Sequence, residues 1–588
     1  MVEKGKVKRV NGSLVIAEEL RGAKIGDVVQ IGELRLIGEV VRMSGGDVAL
    51  QCYEDTSGLK PGEPVSTSGR PLSAELGPGL VGNIFDGLEF SEVAMMQLVG
   101  PFVKRGAELT PLDRKRKWTF TPRVKKGDKV AEGDIIGTVP ETSIMEHRVL
   151  VPVGLRGAIK EIKEGDFTVD DDVATLERPD GEAAKLKLMQ RWPVRVPRPC
   201  KARLPSFEPL VTGQRVVDSF FPVAKGGTAA IPGGFGTGKT VTLHQLAKWS
   251  DAHLIIYIGC GERGNEMADV ITHFPVLEDP RTGKKLSERS VFIANVSNLP
   301  VSAREASIYL GLTVAEYYRD QGYDVAVMAD STSRWAEALR DISGRLEEIP
   351  AEAGYPAYLA ERVAEFYERS GRVLTLGSGD RTGSVTIMGA VSPPGADFSE
   401  PVTSLTLRFV GTLWALDTDL AFRRHFPAIN WLLSFSRYTD VLNDYWSKID
   451  PEWLSFRDRA LSLLEEASKI EETARIIGEK ALPEEQRLIL FISEIIREGF
   501  LVQQAYHKVD TYCEPEKQAR MLRKIIEFYN MLEPLIRAGV PVRKIRELPM
   551  ITEILRFKER EELDLIDKVM TEVKSEVGRI GQEYGIPV

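Results

Sequence analysis

The sequence predicts a multidomain α/β protein: a mostly parallel sheet, preceded by β-rich segments and followed by a helical carboxyl-terminal domain. Three observations carry that prediction. Between about residues 205 and 435, short β-branched runs ("TAAIPG", "LIIYIG", "SVFIANVS", "DVAVMADS", "SVTIMGAVS") alternate with helical stretches such as "SAREASIYLGLTVAEYYRD". That alternation gives a parallel sheet covered on both faces, with ligands at the carboxyl ends of its strands. Upstream, period-two patterns are broken by Gly, Asn and Asp, whereas beyond about 450 the strands give way to apolar residues at three- and four-residue spacing.

Residues 1 to about 70 ("GKVKRVNGSLVIAEEL", "DVVQIGELRLIGEVVRM", "DVALQCYEDTSGL") read as the strands of a small β-barrel. From about 110 to 192, "VKKGDKVAEGDIIGTVPETSIMEHRVLVPVGLRGAIKEI" has the paired Gly-Asp turns of lipoyl and biotinyl carrier domains. Its hairpin tip, Glu141 to Glu146, carries no Lys to modify, so the segment reads as a structural barrel-sandwich insert. The last segment opens its helices on Pro-Glu, which suits a first helical turn. The expected division is 1–72 for the barrel, 110–192 for the insert, 73–109 with 193–435 for the sheet domain, and 436–588 for the helices.

The 588 residues are too many for one core. Their 43% hydrophobic and 28% charged content is that of a soluble globular protein. A net charge of −9 argues against nucleic acid as the main partner, because phosphate neutralisation needs a basic face. Cys52, Cys200, Cys260 and Cys513 have no metal or redox spacing, which points to a reducing compartment. The amino terminus lacks the apolar core of a signal peptide, and no apolar run reaches membrane-spanning length.

The decisive motif is "GGFGTGKT": Gly233, Gly234, Phe235, Gly236, Thr237, Gly238, Lys239 and Thr240, followed by Val241. It fits G-x-x-x-x-G-K-[ST] between a strand and a helix, the setting of a phosphate-binding loop. There the backbone N–H groups and the helix's positive end face an anion. Lys239 suits the β- and γ-phosphates, and the Thr240 hydroxyl suits Mg²⁺. Asp330, closing the apolar run "DVAVMAD", suits a Mg²⁺ ligand through water. "GCGERG" contains Gly-x-Gly-x-x-Gly, but it follows the strand after the loop's helix. One pyrophosphate cradle is already present, so the dinucleotide reading falls. Glu262 and Arg263 at that strand end are then placed to activate water and to neutralise a transferring phosphoryl group.

Taken together, "LVTGQRVVDSFFPVAKGGTAAIPGGFGTGKTVT", "GCGERGNEM", "AVSPPGADFSEPVT" and "RRHFPAINW" resemble the catalytic A subunits of V-type and archaeal-type rotary ATPases, over nearly the whole chain. The resemblance implies a RecA-like nucleotide domain, with 110–192 as a protruding bulge. It implies ATP or ADP with Mg²⁺, Lys239 and Thr240 as phosphate and metal residues, Glu262 as catalytic carboxylate, Arg263 on the γ-phosphate and Arg334 one shell out. It also implies Phe426 against adenine, with Gln503 and Tyr506 as the far wall. Expected partners are a B-type subunit in an alternating heterohexamer that supplies an arginine in trans, central and peripheral stalks, and a membrane ion-translocating sector moving H⁺ or Na⁺. The expected location is the cytoplasmic face of the membrane. The rival functions are a RecA-like hexameric helicase, a protein-export ATPase, and a non-catalytic nucleotide-binding subunit. Three departures stand out: Gly234 where Pro is usual, Tyr506 where Phe is common, and "FDGLEFSEVAMMQLVGPFVKRG", which lacks the usual character of its segment.

Overall fold

A computed structural model describes residues 3–91, 110–297 and 299–585. Six strands between Glu3 and Pro71 close into a barrel around Val15, Ile31, Leu50 and Val65. Closure leaves no strand edge exposed. The barrel is tied to the sheet domain by Ser302, whose hydroxyl donates to the Cys52 carbonyl at 2.6 Å, and by Arg345 to the Ser13 hydroxyl at 2.6 Å. In the departing stretch from Phe85 to Gly106, Ile84–Phe85 joins the central sheet parallel to Phe292–Ile293, whereas 92–106 lie outside the described residues.

The insert is two four-stranded antiparallel sheets between Trp118 and Lys187. Its hairpin tip does not reach into solvent as a carrier's would. Thr142 donates to the Glu288 carbonyl at 2.8 Å, and the Glu141 side chain is buried. That carboxylate accepts from the backbone N–H of Gly79 (2.7 Å) and Val81 (3.1 Å), from the Tyr318 hydroxyl (2.9 Å) and from His147 Nδ1 (3.0 Å). Burial opposes its charge, but the His147 contact and the two backbone N–H groups outweigh that and hold the carboxyl below the usual range. The tip is therefore an anchor between insert and sheet domain.

The parallel part of the central sheet runs, in spatial order, Thr412–Leu413, Thr228–Pro232, Thr382–Val391, Asp324–Asp330, Leu254–Glu262, Ser290–Val296 and Ile84–Phe85, and short antiparallel strands at Phe435–Ser436, Gly371–Leu374 and Ala202–Leu204 extend it. Each of the five apolar runs became one of these strands. The chain leaves Thr228–Pro232, passes through the helix Lys239–Trp249 and returns at Leu254–Glu262, beyond two intervening strands. The carboxyl ends of the loop strand, the Asp330 strand and the Glu262 strand thus share one edge.

The carboxyl-terminal part is helical: Trp453–Ile477, Glu484–Ile495, Pro515–Arg537 and Leu563–Glu583 are its long members. Of the Pro-Glu pairs, only Pro515 occupies the first helical position; Pro483 caps its helix and Pro451 precedes one. Among the described residues no helix is long and apolar enough to cross a membrane.

Glu141→Ala should weaken insert docking by about 3–5 kcal/mol, the effect of stranding one partner of a buried pair. Faster amide exchange at residues 135–150 reads this out, and unchanged exchange would contradict it. Because the folded pKa lies below the ordinary 4.5, the stabilisation is complete above pH 4.5 and lost as the pH falls through the folded value.

Candidate active site

The phosphate loop is shaped by its own side chains before any ligand arrives. Thr237 is buried and its hydroxyl donates to the Gly234 carbonyl at 2.8 Å. Lys239 Nζ donates to the carbonyls of Gly233 (2.6 Å) and Gly234 (3.0 Å). Gly238, at φ 86°, takes the left-handed conformation that turns the loop into the helix Lys239–Trp249. Gly234 has no positive φ, and an added Cβ would meet only Ala396 at 3.5 Å and Thr418 at 3.6 Å. Nothing in the loop demands glycine there, and its replacement of Pro removes no ligand.

The loop floors a cavity of about 980 Å³ that Lys239, Glu262, Arg263, Asp330 and Arg334 also line. Asp330 is level with Gly259 on the neighbouring strand, and Glu262 lies three residues beyond that level, past a register irregularity at Cys260–Glu262. Gly261, at φ 70°, turns that extension, and a Cβ there would meet the Arg334 Cβ at 2.8 Å. Gly259 abuts Met267, and Gly264 faces open space. The three glycines of "GCGERG" thus serve packing and a turn, not a second pyrophosphate cradle.

Asp330 is buried and accepts from the Thr240 hydroxyl at 3.1 Å and the Tyr257 hydroxyl at 3.2 Å. Burial raises its pKa against the pull of Thr240 and Lys239, and burial lowers that of Lys239. Glu262 is pushed up to about 7, first by burial, then by the charges of Asp330 and Glu266, with Arg334 opposing. A hydroxyl beside a carboxylate is an oxygen-only set that suits Mg²⁺, which leaves its remaining positions to water and phosphate. Among the described residues no cluster of three or more His, Cys, Asp and Glu forms a full metal cage.

Two cations rest on protein partners. The Arg263 guanidinium lies 5.3 Å from the ring centre of Phe235, whose side chain is 84% exposed. Arg334 is paired with Glu337 at 2.9 Å. Sequence reasoning missed Glu266, which lines the cavity and whose charge helps raise the Glu262 pKa. The signal was present: Glu262 and Glu266 are four apart across the start of the helix Gly264–His273, where an acidic first turn is favoured.

A second cavity, about 820 Å³, adjoins the first through Gly236, Gly238 and Val241 and is lined by Phe426, Gln503 and Tyr506. Phe426 is 41% and Tyr506 90% exposed, leaving two aromatic faces open to a ligand. Gln503 is different. Its Nε2 donates to the Gly213 carbonyl at 2.8 Å, and its Oε1 accepts from the Arg215 N–H at 2.8 Å. Both ends of that amide are occupied, so Gln503 builds the wall rather than reading a base.

Four family models match in chain order: the ATP synthase alpha/beta family β-barrel domain (7–69), the alpha/beta subunit barrel-sandwich domain (109–195), the alpha/beta family nucleotide-binding domain (213–436), and the C-terminal domain of V and A type ATP synthase (442–546). The A-type ATP synthase A subunit of Thermococcus sibiricus is 57% identical over 583 residues, covering 99% of this chain and 100% of its own. The proteins of that name from Thermofilum pendens and Methanopyrus kandleri are also 57% identical, covering 99% and 94% of this chain and 97% and 94% of theirs. This chain belongs to the family of A-type ATP synthase A subunits. A more distant structure, the assembled ATPase EscN of the enteropathogenic E. coli type III secretion system, matches with a TM-score of 0.62 at 20% identity. It covers 89% of this chain and all of its own, and that likeness is one of fold.

As the pH falls through about 7, the nucleotide-free chain should take up a proton on Glu262. A protonated-carboxyl infrared band that disappears in Glu262→Gln would report it; a site still fully ionised at pH of about 5 would refute it. The folded pKa exceeds the ordinary 4.5, so this proton's contribution to stability is complete below pH 4.5 and lost as the pH rises through about 7.

Proposed function

We propose that this chain is the catalytic subunit of a rotary A-type ATP synthase, hydrolysing or forming ATP at its boundary with a B-type subunit. The observation that carries the reading is that Lys239, Glu262 and Asp330, distant in sequence, line one cavity at one sheet edge. In hydrolysis, water oxygen bonds to the γ-phosphorus as the bond to the ADP oxygen breaks. Glu262 orients that water and takes its proton, and an acceptor that titrates near 7 suits a reaction run near neutrality. Lys239 exchanges its loop carbonyls for β- and γ-phosphate oxygens, Arg263 leaves Phe235 to meet the γ-phosphate, and Arg334 supports Glu262 from behind. Thr240 directly, and Asp330 through water, would hold Mg²⁺, which neutralises phosphate charge when bound. Phe426 and Tyr506 hold the adenine.

In this reading three copies alternate with three B-type subunits, each of which lends an arginine to the neighbouring site. Closure of each site drives a central stalk against a peripheral stalk, coupling the reaction to H⁺ or Na⁺ movement at the cytoplasmic face of a membrane. The chain divides at 72, 109, 192 and 435 into barrel, insert, nucleotide domain and helical domain.

Glu262→Gln should keep ATP binding and abolish turnover; a variant that still turns over would overturn Glu262's role. The isolated chain should bind ATP but hydrolyse it slowly, with a B-type partner raising the rate by about 10³-fold or more through the added arginine. Equal ATP hydrolysis by the chain alone and by the reconstituted pair would contradict the shared site.

A further inference from the structure

Residues 502–514, which carry Gln503 and Tyr506 of the second cavity, form no helix or strand, and single backbone bonds, such as Gln503 N–H to the Phe426 carbonyl and Cys513 N–H to the Gly213 carbonyl (both 2.9 Å), tie them to the nucleotide domain. A buried polar cluster reaching across from that domain adds to these bonds. Arg215, which is 0% exposed, sits just ahead of the wide helical turn Val216–Phe220. Its Nε donates to the Phe500 carbonyl at 2.5 Å and its Nη2 to the Val502 carbonyl at 2.8 Å, while its backbone N–H donates to Gln503 Oε1. Nη1 lies 2.7 Å from Asp510 Oδ1 but off the hydrogen-bond axis, so that carboxylate compensates charge rather than completing the donor set. Asp510 Oδ2 in turn accepts the backbone N–H of Gln504 at 2.9 Å. The guanidinium thus holds the carbonyls of Phe500 and Val502, and the Asp510 carboxylate beside it holds the Gln504 N–H, a fork that a lysine's single ammonium cannot reproduce.

We propose that Arg215 is the positioning residue of the base-stacking wall: without touching ligand, it sets the register of Tyr506 against Phe426 and so the affinity for a purine nucleotide. The proposal rests on the nucleotide-site reading above. The phosphate loop lies on the other side of that cavity and uses none of these contacts, so the base and the phosphate ends of the site are separable.

The test is calorimetric binding, with Mg²⁺ present, of ATP and of inorganic tripolyphosphate to the full chain and to Arg215→Lys. ATP should bind roughly tenfold more weakly to the variant, about the worth of one aromatic contact, with tripolyphosphate binding unchanged. Asp510→Asn, which keeps the side chain's shape and removes only the compensating charge, carries the same expectation should Arg215→Lys not fold. Equal weakening of both ligands would make Arg215 a general structural residue and overturn the proposal, as would unchanged ATP binding. Failure of the unaltered chain to bind ATP at all would instead remove the site reading itself, and this proposal with it.

Discussion

The rest of the site depends on desolvated charge at one sheet edge. An ammonium and three carboxylates, Lys239 with Glu262, Glu266 and Asp330, share a cavity whose floor is backbone. None of them is stable there alone, because burying an unpaired charge is expensive and a group under that pressure changes its protonation first. The arrangement resolves the conflict locally. Asp330 leans on two hydroxyls and Lys239 on two loop carbonyls, while the Glu262 carboxyl is pushed toward its neutral form. A bound polyphosphate with its cation would replace these internal partners with external ones, so affinity is the difference between two satisfied states.

That edge is held in place by polar joints of two kinds. The insert is fixed by the buried Glu141 carboxylate on backbone N–H groups, His147 and Tyr318. The helical domain is fixed by Arg215 and by Asp218, a buried carboxylate that accepts from Thr212, Gly213 and Gln518. Burial pushes Asp218 up to about 6, the mark of a carboxylate whose partners only partly offset its desolvation. Such joints add less net stability than an apolar contact of equal area, but they admit one geometry. A wall that must meet a flat base at stacking distance gains from that.

How much of this was legible in the residues depended on the range of the interaction. The strands were readable because a buried parallel strand is a short β-branched run, and "LIIYIG" or "DVAVMADS" needs no partner to look like one. The barrel and the insert showed in their turns. The phosphate loop, Glu262 and Asp330 could be read as candidates, and they line one cavity, because each sits at a strand end, where position follows from local pattern. Spatial order was not legible: nothing in "SVTIMGAVS" says that it lies between the loop strand and the Asp330 strand. Arg215's partners lie nearly three hundred residues away, so "TGQRV" reads as a turn and no more. Gln503 does line the second cavity, but its amide is spent on Gly213 and Arg215, which only the fold brings near. Glu266 is the one omission that local reasoning had the means to find.

The state of the two cavity arginines bears on why such a site would be shared between chains. A phosphoryl group in transfer spreads charge over three oxygens, and the groups that stabilise it must be positioned beforehand, with little reorganisation left to do. Arg334 pairs with Glu337 three residues on, both half-exposed, and Arg263 rests on an exposed ring; each interaction is worth only about 0.5–1 kcal/mol at such a site. Both guanidiniums are therefore released cheaply to a ligand in the cavity they line. In the reading proposed above, a cation from a neighbouring chain would add to these two only when that neighbour is seated, which would tie the rate of the chemistry to assembly.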